Sequence, residues 1–112
     1  MREVKFKFWL GHTKKMTYEH TLIEISNAHW DFTEDIIPLQ FTGLKDKNGK
    51  EIYESDIDQD GGRIFYNESI AAFQIDYGGD VDIADMEDVD KWMVVSGNIY
   101  ESPELLNPLN KI

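Results

Sequence analysis

Residues 40–57 read QFTGLKDKNGKEIYESDI, and the fold follows from how this stretch is divided. Residues 39–44 have the apolar and β-branched character of a strand, 45–50 are polar, and 51–57 resume an extended pattern. Asn48-Gly49 suits the positive backbone dihedrals of a tight turn, since Gly has no Cβ to clash and Asn tolerates the left-handed region. A hairpin is expected, with 51–57 as one continuous return strand. Near the end, residues 94–106 (VVSGNIYESPELL) read as a strand running into a terminal turn. Pro103 there has the fixed φ of a first helical position, and Leu105 and Leu106 are expected to pack onto the body.

Toward the N-terminus, VKFKFW at residues 4–9 alternates apolar and basic side chains as far as Phe8, the period of a half-buried strand. Polar residues 11–15 supply a turn, and 16–25 read extended again, with β-branched Thr17, Thr21, Ile23 and Ile25. Together they predict an N-terminal hairpin. Residues 26–38 are irregular, with room for one helical turn near Asp31 before Pro38. Toward the C-terminus, turns at Asp60-Gly61-Gly62 and Gly78-Gly79 separate expected strands at 63–66 and 71–77. The apolar spacing of Val81, Ile83, Met86, Val89 and Trp92 fits a short helix after residue 82 better than a strand, and 92–100 is the last strand.

Short strands about ten residues apart, separated by glycine turns, predict a mostly β fold, with a β-rich α+β fold as the alternative. The expected form is a small antiparallel SH3-like barrel with an N-terminal hairpin and one or two short helical turns. At 112 residues a single domain is expected, with the hairpin and its connection at 1–38 and the barrel at 39–112. Trp9, Trp30, Phe41, Tyr53, Phe73, Trp92 and Tyr100 are expected to supply most of the core.

The segments quoted above resemble the YopX family of phage and prophage proteins, whose members show TGLKDKNGKEIYEGDI-like and VIGNIYENPELL-like stretches. Phe6, Trp9, Lys15 and Met16 keep the outline of the family's N-terminal F-R-A-W-D…K-M pattern, while Leu10 replaces its acidic residue. Ser55 stands where the family usually has Gly. If that position needs a positive φ, the substitution costs on the order of 1 kcal/mol. The step Glu54-Ser55-Asp56-Ile57 is also similar to the Gly-Asp step before a strand in SH3-like barrels. What the resemblance implies is an accessory protein of a phage or prophage, in a family without an assigned biochemical activity.

Composition narrows the chemistry. There is no cysteine, so disulfides, thiolate metal sites and cysteine nucleophiles are excluded. No apolar run approaches the ~18 residues of a membrane span, and the alternating N-terminus is unlike a signal peptide. A protein of the bacterial host's cytoplasm is expected, away from membranes. Residues 1–50 hold eight Lys/Arg against seven Asp/Glu, whereas residues 51–112 hold three against fifteen. The second half repels nucleic-acid phosphates and attracts basic proteins or cations.

Asp56, Asp58, Asp60 and Gly61 match the opening D-x-D-x-D-G of a calcium loop. The rest fails: the apolar eighth position holds Arg63, and the bidentate-Glu position holds Asn67. These three acids are weak metal candidates beside the simpler reading of a solvated hairpin tip, and no cofactor is expected. His12, His20 and His29 lack metal-ligand spacing. No G-x-S-x-G elbow exists, and neither Gly-Gly pair has a phosphate-loop lysine. No catalytic residue is therefore assigned.

The remaining candidate is the acidic run Asp76, Asp80, Asp82, Asp85, Glu87, Asp88 and Asp90, which contains no base. Three readings are open: a solvated face, an attachment surface for a basic host or phage protein, and a DNA mimic that blocks a host enzyme. The leading expectation is a non-enzymatic interaction module using this face. A divalent-cation-dependent module or enzyme is a further alternative, and unpaired strand edges leave room for a homo-oligomer.

Overall fold

The computed structural model describes residues 4–18, 36–79 and 83–107. The helical turn expected near Asp31, together with His20, His29, Trp30, Asp80 and Asp82, falls outside these. Among the described residues the chain forms β1 (Phe6–Leu10), β2 (Lys15–Tyr18), β3 (Ile36–Lys45), β4 (Glu51–Tyr53), β5 (Asp56–Asp58), β6 (Arg63–Asn67), β7 (Ala72–Asp76), β8 (Ile83–Asp85), α1 (Val89–Trp92) and β9 (Val95–Asn98), then a 3₁₀ turn at Pro103–Leu105. The fold is mostly β, in two antiparallel sheets with a half-barrel curl. Sheet one has the order β2-β1-β3-β4 and sheet two the order β8-β7-β6-β5-β9.

The N-terminal hairpin is continuous with the body. β3 pairs with β1 from Leu10↔Ile36 to Phe6↔Gln40 and then with β4 at Phe41↔Tyr53 and Lys45↔Glu51. It starts at Ile36, so it crosses the expected division at 38/39. Pro38 is tolerated because it lies before β3 meets β4. Gln40, two residues on, faces Glu54 on that side: its carbonyl accepts from the Glu54 N–H at 2.9 Å and its N–H donates to the Glu54 carboxylate at 3.2 Å, so the missing N–H of Pro38 points away from β1. Within β3 the register shifts between Phe41 and Lys45, where Gly43 takes φ 88 and the Thr42 hydroxyl donates to the Ile52 carbonyl at 2.8 Å.

The expected strand at 51–57 is instead two strands in different sheets. Glu54-Ser55 is a corner: Ser55 has φ 73, its N–H donates to the Ile64 carbonyl at 2.8 Å, and its own carbonyl accepts from Ile99 at 3.0 Å. Both backbone groups of this residue are spent on the second sheet. The chain therefore leaves sheet one at Tyr53 and enters sheet two at Asp56. Nothing in the alternation of EIYESDI announces the break, because the residue that makes it is Ser rather than Gly.

The short helix expected after residue 82 is present only as its last turn. Residues Ile83–Asp85 form β8 against β7, and only Val89–Trp92 is helical. A helix of one turn is too short to stand on propensity; burial of Val89 at 2% exposure holds it in place. Trp92 belongs to this turn and not to the last strand, which starts at Val95. The terminal turn appears as expected with Pro103 at its start, though Leu105 stays 41% exposed and Leu106 half-buried.

The core differs in kind from the aromatic one expected. Its cluster is Ile52, Ile64, Phe73, Ile75, Val89, Met93 and Val95, with the isoleucines essentially fully buried. β-branched side chains pack well on pleated surfaces, which suits isoleucine to the space between curled sheets. Trp9, Phe41 and Tyr53 are buried along sheet one, and Tyr100 stacks on Trp9 at 5.4 Å between ring centroids. The isoleucines come from both sheets, Ile52 from β4 and Ile64 and Ile75 from β6 and β7, and fill the space between them.

Candidate functional site

Among the described residues three aspartates are buried, and each is consumed by structure. Asp46 (3% exposed) opens the DKNG turn: one oxygen accepts from Asn48 and Lys50 N–H, each at 2.9 Å, and the other from Val95 N–H at 2.9 Å. A single carboxylate thus shapes the turn and fastens it to β9, helped by the Lys47 N–H donating to Met93 at 3.0 Å. Burial pushes the Asp46 carboxyl up, but the three backbone donors, with Lys50, outweigh it and hold the group below its ordinary value.

Asp56 (2% exposed) fastens the sheet-to-sheet corner. One oxygen accepts from the Tyr53 N–H at 2.8 Å and the other faces the Lys7 ammonium at 3.3 Å. Lys7 is only 9% exposed and lies 4.5 Å from the centre of the Tyr53 ring. Burial raises the Asp56 carboxyl above its ordinary value, against the opposing pull of Lys7 and the Tyr53 N–H. The Tyr53 hydroxyl is pushed up to about 12, first by burial and then by the neighbouring Glu51 charge. Lys5 meets Glu51 in a second ion pair nearby, over the Phe41 ring.

Asp58 (2% exposed) organises the DQDGG loop. One of its oxygens accepts from the Asp60 and Gly62 N–H groups at 2.9 Å each, and the other takes the Tyr77 hydroxyl at 2.5 Å. Gly61, at φ 81, is covered by the C-terminal segment: a Cβ there would lie 2.6 Å from the Asn107 nitrogen. At Gly62 a Cβ would meet Ile75 and Tyr77 at 2.6 Å. So the calcium-loop match is a packed turn. Asp56 and Asp58 spend their oxygens on different partners, Asp60 is exposed, and among the described residues no three His, Asp or Glu side chains gather as a metal set.

The acidic run is arranged differently. Asp76, on β7, is half-buried, accepts from the Gly78 N–H at 2.8 Å and lies 3.7 Å from the Arg63 guanidinium. Asp85, Glu87, Asp88 and Asp90 are all exposed, on β8, the loop after it and the start of α1. Asp85 accepts from the Gln74 amide at 2.8 Å, and Asp88 approaches Lys91 at 3.8 Å. β8 is the edge of its sheet and carries Ile83, 49% exposed. Of the seven acids, four are exposed on β8 and the residues that follow it, Asp76 is turned into the sheet's own ion pair, and Asp80 and Asp82 lie outside the described residues.

Sequence reasoning missed Lys7 and Asp46. In β1 the buried parity is Lys7 and Trp9, not Phe6 and Phe8. The available signal was Trp9, which shares the parity of Lys7 and outweighs either phenylalanine as a core anchor. For Asp46 no local signal exists beyond an Asx-type turn, since its third donor comes from Val95, 49 residues away. His12 lies exposed in the β1–β2 turn.

Two curled antiparallel sheets with one folded-back acidic corner and one acidic edge define a small β domain of the kind that the QFTGLKDKNGKEIYESDI segment resembled. The YopX protein family matches residues 7–107, nearly the whole chain, and the chain belongs to that family. It is similar to the crystal structure of protein EF1440 from Enterococcus faecalis, with a TM-score of 0.62 and 24% identity over 95% of this chain and 99% of that one. That likeness shows the fold. No curated protein matches the chain. No helix among the described residues is long and apolar enough to cross a membrane.

Proposed function

We propose that this chain is a non-enzymatic accessory protein of a phage or prophage, an interaction module in the bacterial host's cytoplasm that takes a basic protein partner on its acidic edge. The observation that supports this reading is the exposure of Asp85, Glu87, Asp88 and Asp90 on and after β8, which is an edge strand among the described residues, and in the turn of helix that follows. Edge strands offer unpaired backbone groups to an incoming chain, and the carboxylates select a basic one and speed its approach. Pairing two copies through β8 would bring both sets of exposed carboxylates close together, so a second copy is a poor occupant of this edge.

The test compares the wild type with Asp85→Lys/Glu87→Lys/Asp90→Lys in affinity purification from host lysate, with bound proteins identified by mass spectrometry. The proposal expects a basic protein that is released at about 1 M salt, where the screening length falls to about 3 Å. The same protein is absent from the variant, whose urea midpoint is unchanged. An identical set of bound proteins overturns it. Competition of the captured protein's binding by duplex DNA separates a DNA mimic from a simple attachment surface.

A further inference from the structure

Where the two sheets meet, a cleft of about 320 Å³ opens over the Lys7–Asp56 pair. That volume is at the small end of ligand sites, which run from roughly 300 to 1,000 Å³. Its walls differ in sign. Lys7 on β1 and Lys50 in the β3–β4 turn come from the first sheet, whereas Asp56 on β5 and Glu101 after β9 come from the second. Met16 and Tyr18 of β2 add an apolar side to the cationic wall. At the floor the walls already touch through the ion pair at 3.3 Å.

The floor pair is an expensive choice for stability alone, because a buried ion pair can often be replaced by apolar side chains at no loss. At the rim, Lys50 and Glu101 are exposed, and Lys50 makes no ion pair with the described residues. Glu101 is nonetheless aimed: one carboxylate oxygen accepts from the Asn98 side-chain amide at 2.8 Å, and its N–H donates back to Asn98 at 2.9 Å. A ligand of one charge gains at one wall and is repelled at the other. A dipolar ligand gains at both.

We propose that this cleft binds a small zwitterion, a free α-amino acid with its carboxylate toward Lys7 and Lys50, its ammonium toward Glu101, and an apolar side chain against Met16 and Tyr18. The ligand forms a second rung above the Lys7–Asp56 pair and ties the two sheets together. The site is remote in chemistry from the acidic edge and stands or falls independently of it.

The experiment is an amide NMR titration with L-leucine and L-methionine, with N-acetyl-L-leucine and L-leucinamide as forms lacking one charge each. Saturable shifts are expected at Lys7, Asn98 and Ser102 with a Kd on the order of 0.1–1 mM. The blocked forms, and the variants Lys50→Met and Glu101→Gln, should each bind about three- to fivefold more weakly, which is the loss of one exposed ion pair. Glu101→Gln keeps the oxygen that accepts from Asn98, so its urea midpoint should not move. Absence of saturation with both amino acids overturns the proposal, as does equal binding by the blocked forms or by the variants.

Discussion

The aspartates at 46, 56 and 58 and the acids at 85–90 are the same chemistry put to opposite uses. The first group is 2–3% exposed and fully engaged with backbone N–H groups, a lysine and a tyrosine. The second is exposed and held loosely, by a glutamine amide at Asp85 and a surface ion pair at Asp88. Burial decides the difference: a carboxylate out of water must find donors, and those donors then fix the backbone that supplies them. Removing an acid should therefore unmake the fold in one region and leave it intact in the other.

The largest effect is expected at Asp56→Ala. It strands the buried Lys7 ammonium without its counter-charge and leaves the Tyr53 N–H unpaired at the corner. Breaking a buried pair in this way costs about 3–5 kcal/mol, a large share of the roughly 5–15 kcal/mol that holds a domain of ordinary stability together. Urea unfolding followed by tryptophan fluorescence measures it. A loss below about 1 kcal/mol would show that the corner is held by packing, and that the contrast between buried and exposed acids is weaker than drawn.

Asp46→Asn follows, and its pH dependence sharpens the comparison. The carboxyl's folded value lies below the ordinary 3.8, so its contribution is fully present above pH 3.8. It is lost as pH falls below 3.8 through the folded value. The amide has one acceptor oxygen in place of two, so it cannot serve both the turn and Val95. A loss of about 1–3 kcal/mol at pH 7 is expected, shrinking as the wild type is acidified below pH 3.8. A difference that stays constant from pH 7 to pH 2 would mean that the charge is not what the turn and β9 share.

How far the sequence revealed these roles depends on how local each one is. The turns at Asn48-Gly49 and Asp60-Gly61-Gly62 and the proline-opened turn at Pro103–Leu105 were legible, because their chemistry is contained in a few consecutive residues. The division of 51–57 between two sheets was not. Ser55 carries no turn signal of its own, and only the family's glycine at that place hinted at a positive φ. The buried acids were illegible for a different reason: Asp46 and Asp56 are defined by Val95 and Lys7, each 49 residues distant. An aspartate in a D-x-D-x-D-G string looks the same whether it waits for a cation or already holds Gly62 and Tyr77. For the candidate site, the acidic run was visible as composition. Its split between an inward Asp76 and an exposed edge depends on β8 pairing with β7, which the apolar spacing of 81–92 disguised as helix.

Ser55→Gly tests the corner from the stabilising side. Serine at φ 73 bears the Cβ strain of the left-handed region, which glycine lacks. Glycine's looser unfolded chain takes back part of the gain. A net stabilisation of about 1 kcal/mol is expected, seen as a higher urea midpoint at unchanged slope. Destabilisation would mean that the serine side chain, on a residue only 8% exposed, packs well enough to outweigh the strain.

The smallest effect belongs to the edge, and its smallness is the point. Asp85→Asn/Glu87→Gln/Asp90→Asn removes three of the charges on the exposed edge while keeping side-chain size. Substitutions of exposed residues away from caps, cores and strained sites stay within about 0.5 kcal/mol. Nothing buried depends on these side chains: Trp92 donates its indole N–H to the backbone carbonyl of Glu87, not to the carboxylate. Relief of repulsion among neighbouring acids should even make the triple variant marginally more stable at low salt, an advantage that vanishes as salt screens it. Thermal unfolding at low and high salt reads both terms. If the variant is destabilised by more than about 1 kcal/mol, these carboxylates are part of the fold like Asp46 and Asp56, and a free acidic edge for a basic partner is no longer available to propose.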